Sequence, residues 1–258
     1  MSRADEAAKL LFDARRAKTT IDPLPDSCRP MTVDEGYAVQ DALVAMSNAR
    51  VVGWKLGATT PYWQKRAGLT EPMAGRLLEG HVHRGSTTLR GADFHLRMVE
   101  CEMGFVLGRD LPPRENEYSR EEVEAAVAAV HGCIEVADTR YKKGLHVDSP
   151  SLIADNVLAG AYLIGPALNE AARADLTNMP VKVFVDGALV NEGKGEHTGG
   201  HPILPMVWLA NDRRKRGDGL RAGMIVSTGS TTGAYRSGAS AVIVADYGAS
   251  GTVELRFE

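Results

Sequence analysis

The acidic pair Glu100 and Glu102 sits inside Val99-Glu100-Cys101-Glu102-Met103, a segment with the alternation of a β-strand. Residues two apart on a strand face the same side, so both carboxylates point one way and Cys101 and Met103 point the other. Two like charges side by side repel unless water or a shared cation separates them. On its own, the pair reads as the wet face of an amphipathic strand. Glu135 weighs against that reading, because it lies within the apolar run Cys133-Ile134-Glu135-Val136-Ala137. An isolated carboxylate is costly to bury and calls for a partner. If the two strands are neighbours, three carboxylates converge. An all-oxygen set of that kind suits a hard divalent ion, Mg²⁺ or Mn²⁺, with its remaining positions open to water or substrate.

Lys55 is the next candidate, the one charge in Gly53-Trp54-Lys55-Leu56-Gly57. It either snorkels to a sheet edge or faces a pocket, where desolvation tunes it for proton transfer and its charge holds an anionic substrate. The pairs Asp155-Asn156 and Thr228-Gly229 stand near element ends and could line the same site. His81-Val82-His83, flanked by Gly80 and Gly85, reads as a surface turn, and His201 before Pro202 as a helix-start residue with a capping or packing role. Glu100, Glu102, Glu135 and Lys55 therefore carry the chemical hypothesis.

These residues need elements to hold them. Residues 3–17 place Ala7, Leu10, Leu11 and Ala14 on one helical face behind a Ser2 cap. Thr32 and Glu35 have the capping-box spacing that opens a second helix, which runs to about Asn48. A turn-rich connector, Asp22-Pro23-Leu24-Pro25-Asp26 and Arg29-Pro30, separates the two. From Val51 onward the chain reads as strands and glycine-rich loops: Val51–Gly57, Met98–Leu107, Gly132–Val136, Val181–Val185, Leu189–Asn191, Met224–Thr228, Ala241–Asp246 and Thr252–Phe257. Asp186-Gly187 between two of these runs marks a hairpin. Helices are expected over 119–131, opened by Ser119 and Glu122, and over 202–216, stopped by Gly217. They are too few and too irregular for a repeating βαβ barrel. The expectation is an α+β fold: a helical N-terminal part (1–50) and a mixed, mostly β domain (51–258) that carries the site.

Composition narrows the class. With 30 basic and 33 acidic residues among 258, net charge −3, nothing marks a nucleic-acid binder. The cluster Arg213-Arg214-Lys215-Arg216 reads as a helix end, where cations complement the dipole. Cys28, Cys101 and Cys133 are too widely spaced for a zinc site or disulfide scaffold and fit a reducing cytoplasm. Asp5, Glu6 and Lys9 stand where a signal peptide needs an apolar run, and no stretch approaches the roughly 20 apolar residues of a membrane span. Gly193-Lys194-Gly195-Glu196-His197-Thr198 lacks the third glycine of a dinucleotide loop, and Gly229-Ser230-Thr231-Thr232-Gly233 is neither a phosphate loop nor a nucleophile elbow.

Taken in order, Gly53–Gly57, Val99–Met103, Glu135–Arg140, Ala154–Asn156, Gly200–Pro202 and Ser227–Gly229 resemble the motifs of the 2-keto-4-pentenoate hydratase / 4-oxalocrotonate decarboxylase family of the fumarylacetoacetate hydrolase-like superfamily. The resemblance covers about residues 31–258. It implies a twisted, mixed β-roll with an N-terminal helical part, assembled into homo-oligomers and acting on a small 2-oxo acid. It also implies that Glu100, Glu102 and Glu135 are the metal ligands, Lys55 the active-site lysine, and Thr228 and Gly229 the loop against the substrate carboxylate. The implied chemistry is Lewis-acid stabilisation of negative charge on the 2-oxygen, leading to hydration of a 2-hydroxy-2,4-dienoate or decarboxylation of a vinylogous β-keto acid. C–C hydrolysis of an acylpyruvate is a third outcome, and a fold that binds without turnover a fourth. One departure bears on the choice. Hydratases of the family usually carry aspartate in a Pro-Asp-aromatic-Gly segment, whereas this chain has Glu71-Pro72-Met73-Ala74-Gly75, leaving Glu71, Glu79 or a water to act in its place.

Overall fold

A computed structural model describes residues 1–258. Two capped helices open the chain, α1 (Arg3–Ala17) and α2 (Val33–Ser47), each with a complete capping box, at Ser2/Asp5 and Thr32/Glu35. The strands are β1 (Val51–Gly57), β2 (Met73–Leu78), β3 (Val82–Arg84), β4 (Thr87–Leu89), β5 (Met98–Leu107), β6 (Val127–Ala137), β7 (Ala159–Ala167), β8 (Pro180–Val185), β9 (Ala188–Lys194), β10 (Ile225–Ser230), β11 (Tyr235–Arg236), β12 (Ala241–Asp246) and β13 (Thr252–Phe257). Between them lie α3 (Pro61–Ala67), α4 (Arg120–Glu124), α5 (Ser149–Ala154), α6 (Glu170–Ala174) and α7 (Leu204–Arg216).

One sheet runs β2-β1-β10-β5-β6-β7-β3, with β11 beside β5, and a second runs β4-β13-β12-β8-β9. Both are mixed, since β1–β10, β3–β7 and β4–β13 pair in parallel. The first sheet curls until β2 approaches β7, and Leu77 of β2 packs with Cys133, Tyr162, Ile164 and Ile225 inside the roll. Its outer face meets the second sheet and α7 in the main core, where Trp54, Cys101, Met103, Phe105, Ile134 and Val226 lie against Val183, Leu209, Ile243 and Leu255. Period-two alternation therefore has a definite outcome here: odd residues of β5 enter the core, and Glu100, Glu102 and Gly104 face the interior of the roll. Helices α1 and α2 form a smaller core, with Ala7, Leu11, Val39 and Leu43 against Tyr141 and Ala154.

Several local expectations are corrected. The helix expected over 119–131 ends at Glu124, and residues 127–131 open β6, paired with β5 from Leu107↔Val127. Ladder pairing of Val127 and Val130 outweighs the helical preference of Ala128 and Ala129. His81-Val82-His83 is not a free turn, because Val82 and His83 belong to β3, which pairs with β7. Arg213 does end its helix but is 2% exposed, stacked 4.6 Å over Trp54 and paired with Asp212. The Asp186-Gly187 hairpin forms with both residues at positive φ, 49° and 82°, as a type I′ turn requires.

Candidate metal centre and lysine site

Adjacent strands β5 and β6 place Glu100 directly opposite Glu135, and Glu102 opposite Cys133 on the same face. One carboxylate oxygen from each of Glu100, Glu102 and Glu135 lies within 4.8 Å of the others. Glu102 is 0% and Glu135 1% exposed, so the wet-face reading fails, while Glu100 is only partly buried. Glu102 Oε1 and Glu135 Oε2 are buried without a hydrogen-bond partner. Such groups are rare in native interiors because each carries its full desolvation cost. A divalent ion would satisfy them, and an all-carboxylate set with room for water fits a hard cation. Without an ion, burial and then Glu135 push Glu100 up to about 7, against the pull of Lys55. Burial and the other two glutamates push Glu102 well above the carboxylate range.

Strand β1 brings Lys55 onto this face, since Gly53 pairs with Ile225 and Lys55 with Gly75. Lys55 is 3% exposed and does not snorkel. Its Nζ forms an ion pair with Glu135 Oε1 at 2.7 Å and donates to the Val157 carbonyl at 3.0 Å. Burial opposes its charge, but Glu135, Glu100 and Glu102 outweigh burial and hold its pKa above the ordinary value.

The other expected site residues are placed differently. Thr228 is buried with its hydroxyl donating to the Met103 carbonyl at 3.1 Å. Gly229 stands at φ 98°, and a Cβ there would lie 2.5 Å from Thr59 Oγ1, so glycine allows the β1–α3 loop to close on β10. Asp155 is fully enclosed. It accepts from Arg15 at 2.7 Å, Thr139 at 2.7 Å and the Arg140 amide at 2.8 Å, which makes it an anchor beneath the site. Glu71 accepts from Trp208 Nε1 at 3.1 Å and Glu79 pairs with Arg50 at 2.7 Å, so both carboxylates are engaged by other partners. Met73 itself is packed with Tyr37, Ile153 and Val157.

Two contributors escape a reading of motifs alone. Ser227, paired with Gly104 on the inner face, donates its hydroxyl to Glu102 Oε2. The family resemblance assigns the site role to Thr228 and Gly229 of the Ser227–Gly229 motif, but period two gives the inward place to Ser227. From the opposite face, the Tyr247 hydroxyl accepts from the Cys133 amide at 2.9 Å and lies 2.9 Å from the Glu102 carbonyl and 2.6 Å from that of Cys133. Its ring lies where a Cβ on residue 132 would stand, so Gly132 is required for this stitch across β5 and β6. No local signal in the sequence announces it. A cavity of about 530 Å³ lies between the N-terminal helices and the roll and is lined in part by Glu135. Of its cations, Arg15, Lys18 and Arg76 are paired with Asp155, Asp93 and Asp41, and Arg16 lies over the Phe12 ring.

Known proteins share the sequence and the fold that carry this arrangement. The family model for the fumarylacetoacetate (FAA) hydrolase C-terminal region matches residues 61–255. A 2-keto-4-pentenoate hydratase of Paraburkholderia xenovorans (strain LB400) is 32% identical over 228 residues, 87% of this chain and 84% of that protein. A 2-hydroxyhexa-2,4-dienoate hydratase of Comamonas testosteroni is 28% identical over 85% of this chain and 84% of its own. In shape, the chain is similar to the 4-oxalocrotonate decarboxylase of Pseudomonas putida G7 complexed with magnesium and adipate, with TM-score 0.91, 24% identity and coverage of 100% and 99%. The fumarylpyruvate hydrolase of Pseudomonas aeruginosa in complex with Mn²⁺ and pyruvate is more distant, with TM-score 0.55, 14% identity and coverage of 81% and 89%. The chain belongs to the 2-keto-4-pentenoate hydratase / 4-oxalocrotonate decarboxylase family of the fumarylacetoacetate hydrolase-like superfamily.

Proposed function

We propose that this chain is a divalent-metal-dependent hydro-lyase that converts a short 2-hydroxy-2,4-dienoate and water into a 4-hydroxy-2-oxo acid, with 2-hydroxypenta-2,4-dienoate as the reference substrate. The carrying observation is the convergence of three carboxylates with orphaned buried oxygens beside a buried lysine. Glu100, Glu102 and Glu135 are assigned as the ligands of Mg²⁺ or Mn²⁺, which when bound supplies a Lewis acid for a 2-oxo acid head. Ser227 fixes the Glu102 carboxylate, and the family resemblance assigns the Thr228-Gly229 turn to the substrate carboxylate. Lys55, held as the ammonium beside Glu135, can give its Nζ proton to the terminal carbon of the dienol system, and the neutral amine left behind can then take the proton of the 2-hydroxyl, which restores the ammonium. The family resemblance supports a homo-oligomer, and three buried free thiols, Cys28, Cys101 and Cys133, support a reducing cytoplasm.

One observation favours a second reading. Met73 occupies the position where hydratases of the family resemble one another in carrying aspartate, and its surroundings are apolar. A site without an acid at that end suits decarboxylation, in which CO₂ leaves and no distal water needs activation. Purified protein with Mg²⁺ or Mn²⁺ separates the readings. Hydration predicts loss of 2-hydroxypenta-2,4-dienoate absorbance with a 4-hydroxy-2-oxo acid as product. Release of CO₂ from 4-oxalocrotonate without hydration would favour the second, and cleavage of an acylpyruvate the hydrolytic alternative. Metal binding with no turnover on any of the three would leave a binding module.

A further inference from the structure

The sharpest backbone anomaly in the molecule lies beside the lysine. Asn156, Val157 and Leu158 take φ values of 54°, 50° and 61°, the only run of three consecutive non-glycine residues at positive φ. Asparagine tolerates that region, but valine and leucine do not adopt it without support. Held strain of this kind persists only where surrounding contacts over-determine it, and it clusters at working sites.

The contacts that hold the turn are specific. Asn156, 2% exposed, uses its side-chain amide as a strand would use its backbone: Oδ1 accepts from the Arg76 amide at 2.7 Å and Nδ2 donates to the Arg76 carbonyl at 2.8 Å. Strand β2 is the edge of its sheet, and the neighbouring edge groups are met likewise, the Ala74 amide by the Tyr37 hydroxyl and its carbonyl by Gln40. Gly75 permits the approach, since a Cβ there would collide with the Asn156 carbonyl. Either end of the turn is pinned too, by Asp155 on one side and by the Asp138 amide donating to the Leu158 carbonyl at 2.8 Å on the other. The product of all this is one outward carbonyl. Val157 presents its oxygen to Lys55 Nζ at 3.0 Å, the backbone contact that, together with the Glu135 ion pair, fixes the ammonium in place.

We propose that Asn156 is a positioning residue: by clamping the left-handed Asn156–Leu158 turn to the edge of β2, it holds the Val157 carbonyl where it fixes Lys55 against the glutamate cluster. The inference rests on the site reading above, with Lys55 as the group acting on substrate. It assigns a role to the Asp155-Asn156 pair that needs no contact with substrate at all.

The test combines Asn156→Ala, Asn156→Asp and Lys55→Met, each alone, with Asn156→Ala also placed in the Lys55→Met background. Lysine acetylation by acetic anhydride, read by mass spectrometry, should reach Lys55 about tenfold faster in Asn156→Ala, with Lys142 and Lys194 unchanged. Turnover should fall about 10- to 100-fold in kcat with KM and Mn²⁺ affinity within about threefold, and Asn156→Ala should add nothing to Lys55→Met. Asn156→Asp keeps the acceptor for Arg76 and the tolerance for positive φ, so it should recover part of both losses. It carries the labelling test alone if the alanine variant does not fold. Wild-type labelling of Lys55 in both folded variants, or a full multiplicative loss in the Lys55→Met background, would overturn the proposal. If the wild-type enzyme turns over no 2-oxo acid, the proposed function fails while the labelling result still decides this inference.

Discussion

Proton and metal compete for the same oxygens, and that competition has a calculable size. In the metal-free protein Glu100 is held at about 7 against an ordinary 4.5, by burial first and by Glu135 second. A carboxyl raised in the fold keeps its proton where the unfolded chain has released it. Its contribution to stability is therefore greatest below pH 4.5, declines from there to pH 7, and is flat above. The decline is on the order of 3–4 kcal/mol, at about 1.4 kcal/mol per pH unit from 4.5 to about 7. Glu122, depressed to about 2 by Arg114, loses its contribution only as pH falls below 4.5, so the two windows do not overlap. A divalent ion must displace the proton, so apparent affinity falls about tenfold per unit below pH 7 for each proton released. At an ion concentration 100 times Kd at pH 8, stabilisation is about 2.7 kcal/mol. The same concentration at pH 6 amounts to about ten times Kd and about 1.4 kcal/mol. Scanning calorimetry of metal-free and Mg²⁺-loaded protein from pH 5 to 8.5 reads both terms. Metal-free Tm should fall between pH 5 and 7 while the gap opened by Mg²⁺ widens. A metal-induced gap that stays constant from pH 6 to 8 would refute the coupling.

Three further predictions bear on single residues. Lys55→Met should lower kcat by about 10²- to 10⁴-fold while leaving Mn²⁺ affinity equal or higher, since it removes a cation from the ion's neighbourhood; a parallel loss of affinity in isothermal titration would make Lys55 a structural support instead. Gly229→Ala forces a Cβ to 2.5 Å from Thr59 at φ 98° and should cost about 1–3 kcal/mol by chemical denaturation, with a neutral result arguing that the loop is free to move. Tyr247→Phe removes the hydroxyl shared by the backbones of Glu102 and Cys133, leaves the Cys133 amide unpaired, and should destabilise by about 1–3 kcal/mol. Amide exchange at Cys133 should accelerate in step, and unchanged exchange would show the stitch to be incidental.

Much of the site can be read from residues 51–137 alone. The bounds of β1, β5, β12 and β13 follow from alternation and flanking turns, and those of α1 and α2 from their capping boxes. The three glutamates follow from period two plus the apolar setting of Glu135. What escapes is contributed by elements whose composition argues against them. Strand β7 is built from Ala159, Gly160, Ala161 and Gly165 among others, because a Cβ at 160 or 165 would strike the carbonyl of Val136 or Gly132. Close packing selects residues with poor strand propensity, so pattern reading passes over them. Strand β2 is buried on both faces and shows no alternation. The roles of Asn156 and Tyr247 depend on contacts 80 and 114 residues away in the chain, which no local spacing encodes. Asp155 carries the family motif, yet its carboxylate is taken up by Arg15, Thr139 and Arg140.

The account stands on a divalent ion held by Glu100, Glu102 and Glu135. A crystal soaked with Mn²⁺ and oxalate, an unreactive stand-in for a 2-oxo acid head, tests it by anomalous scattering. The prediction is one manganese peak about 2.1–2.2 Å from an oxygen of each glutamate, with oxalate completing the coordination and Lys55 alongside. A peak elsewhere, or none at these three side chains at saturating Mn²⁺, would contradict the central claim.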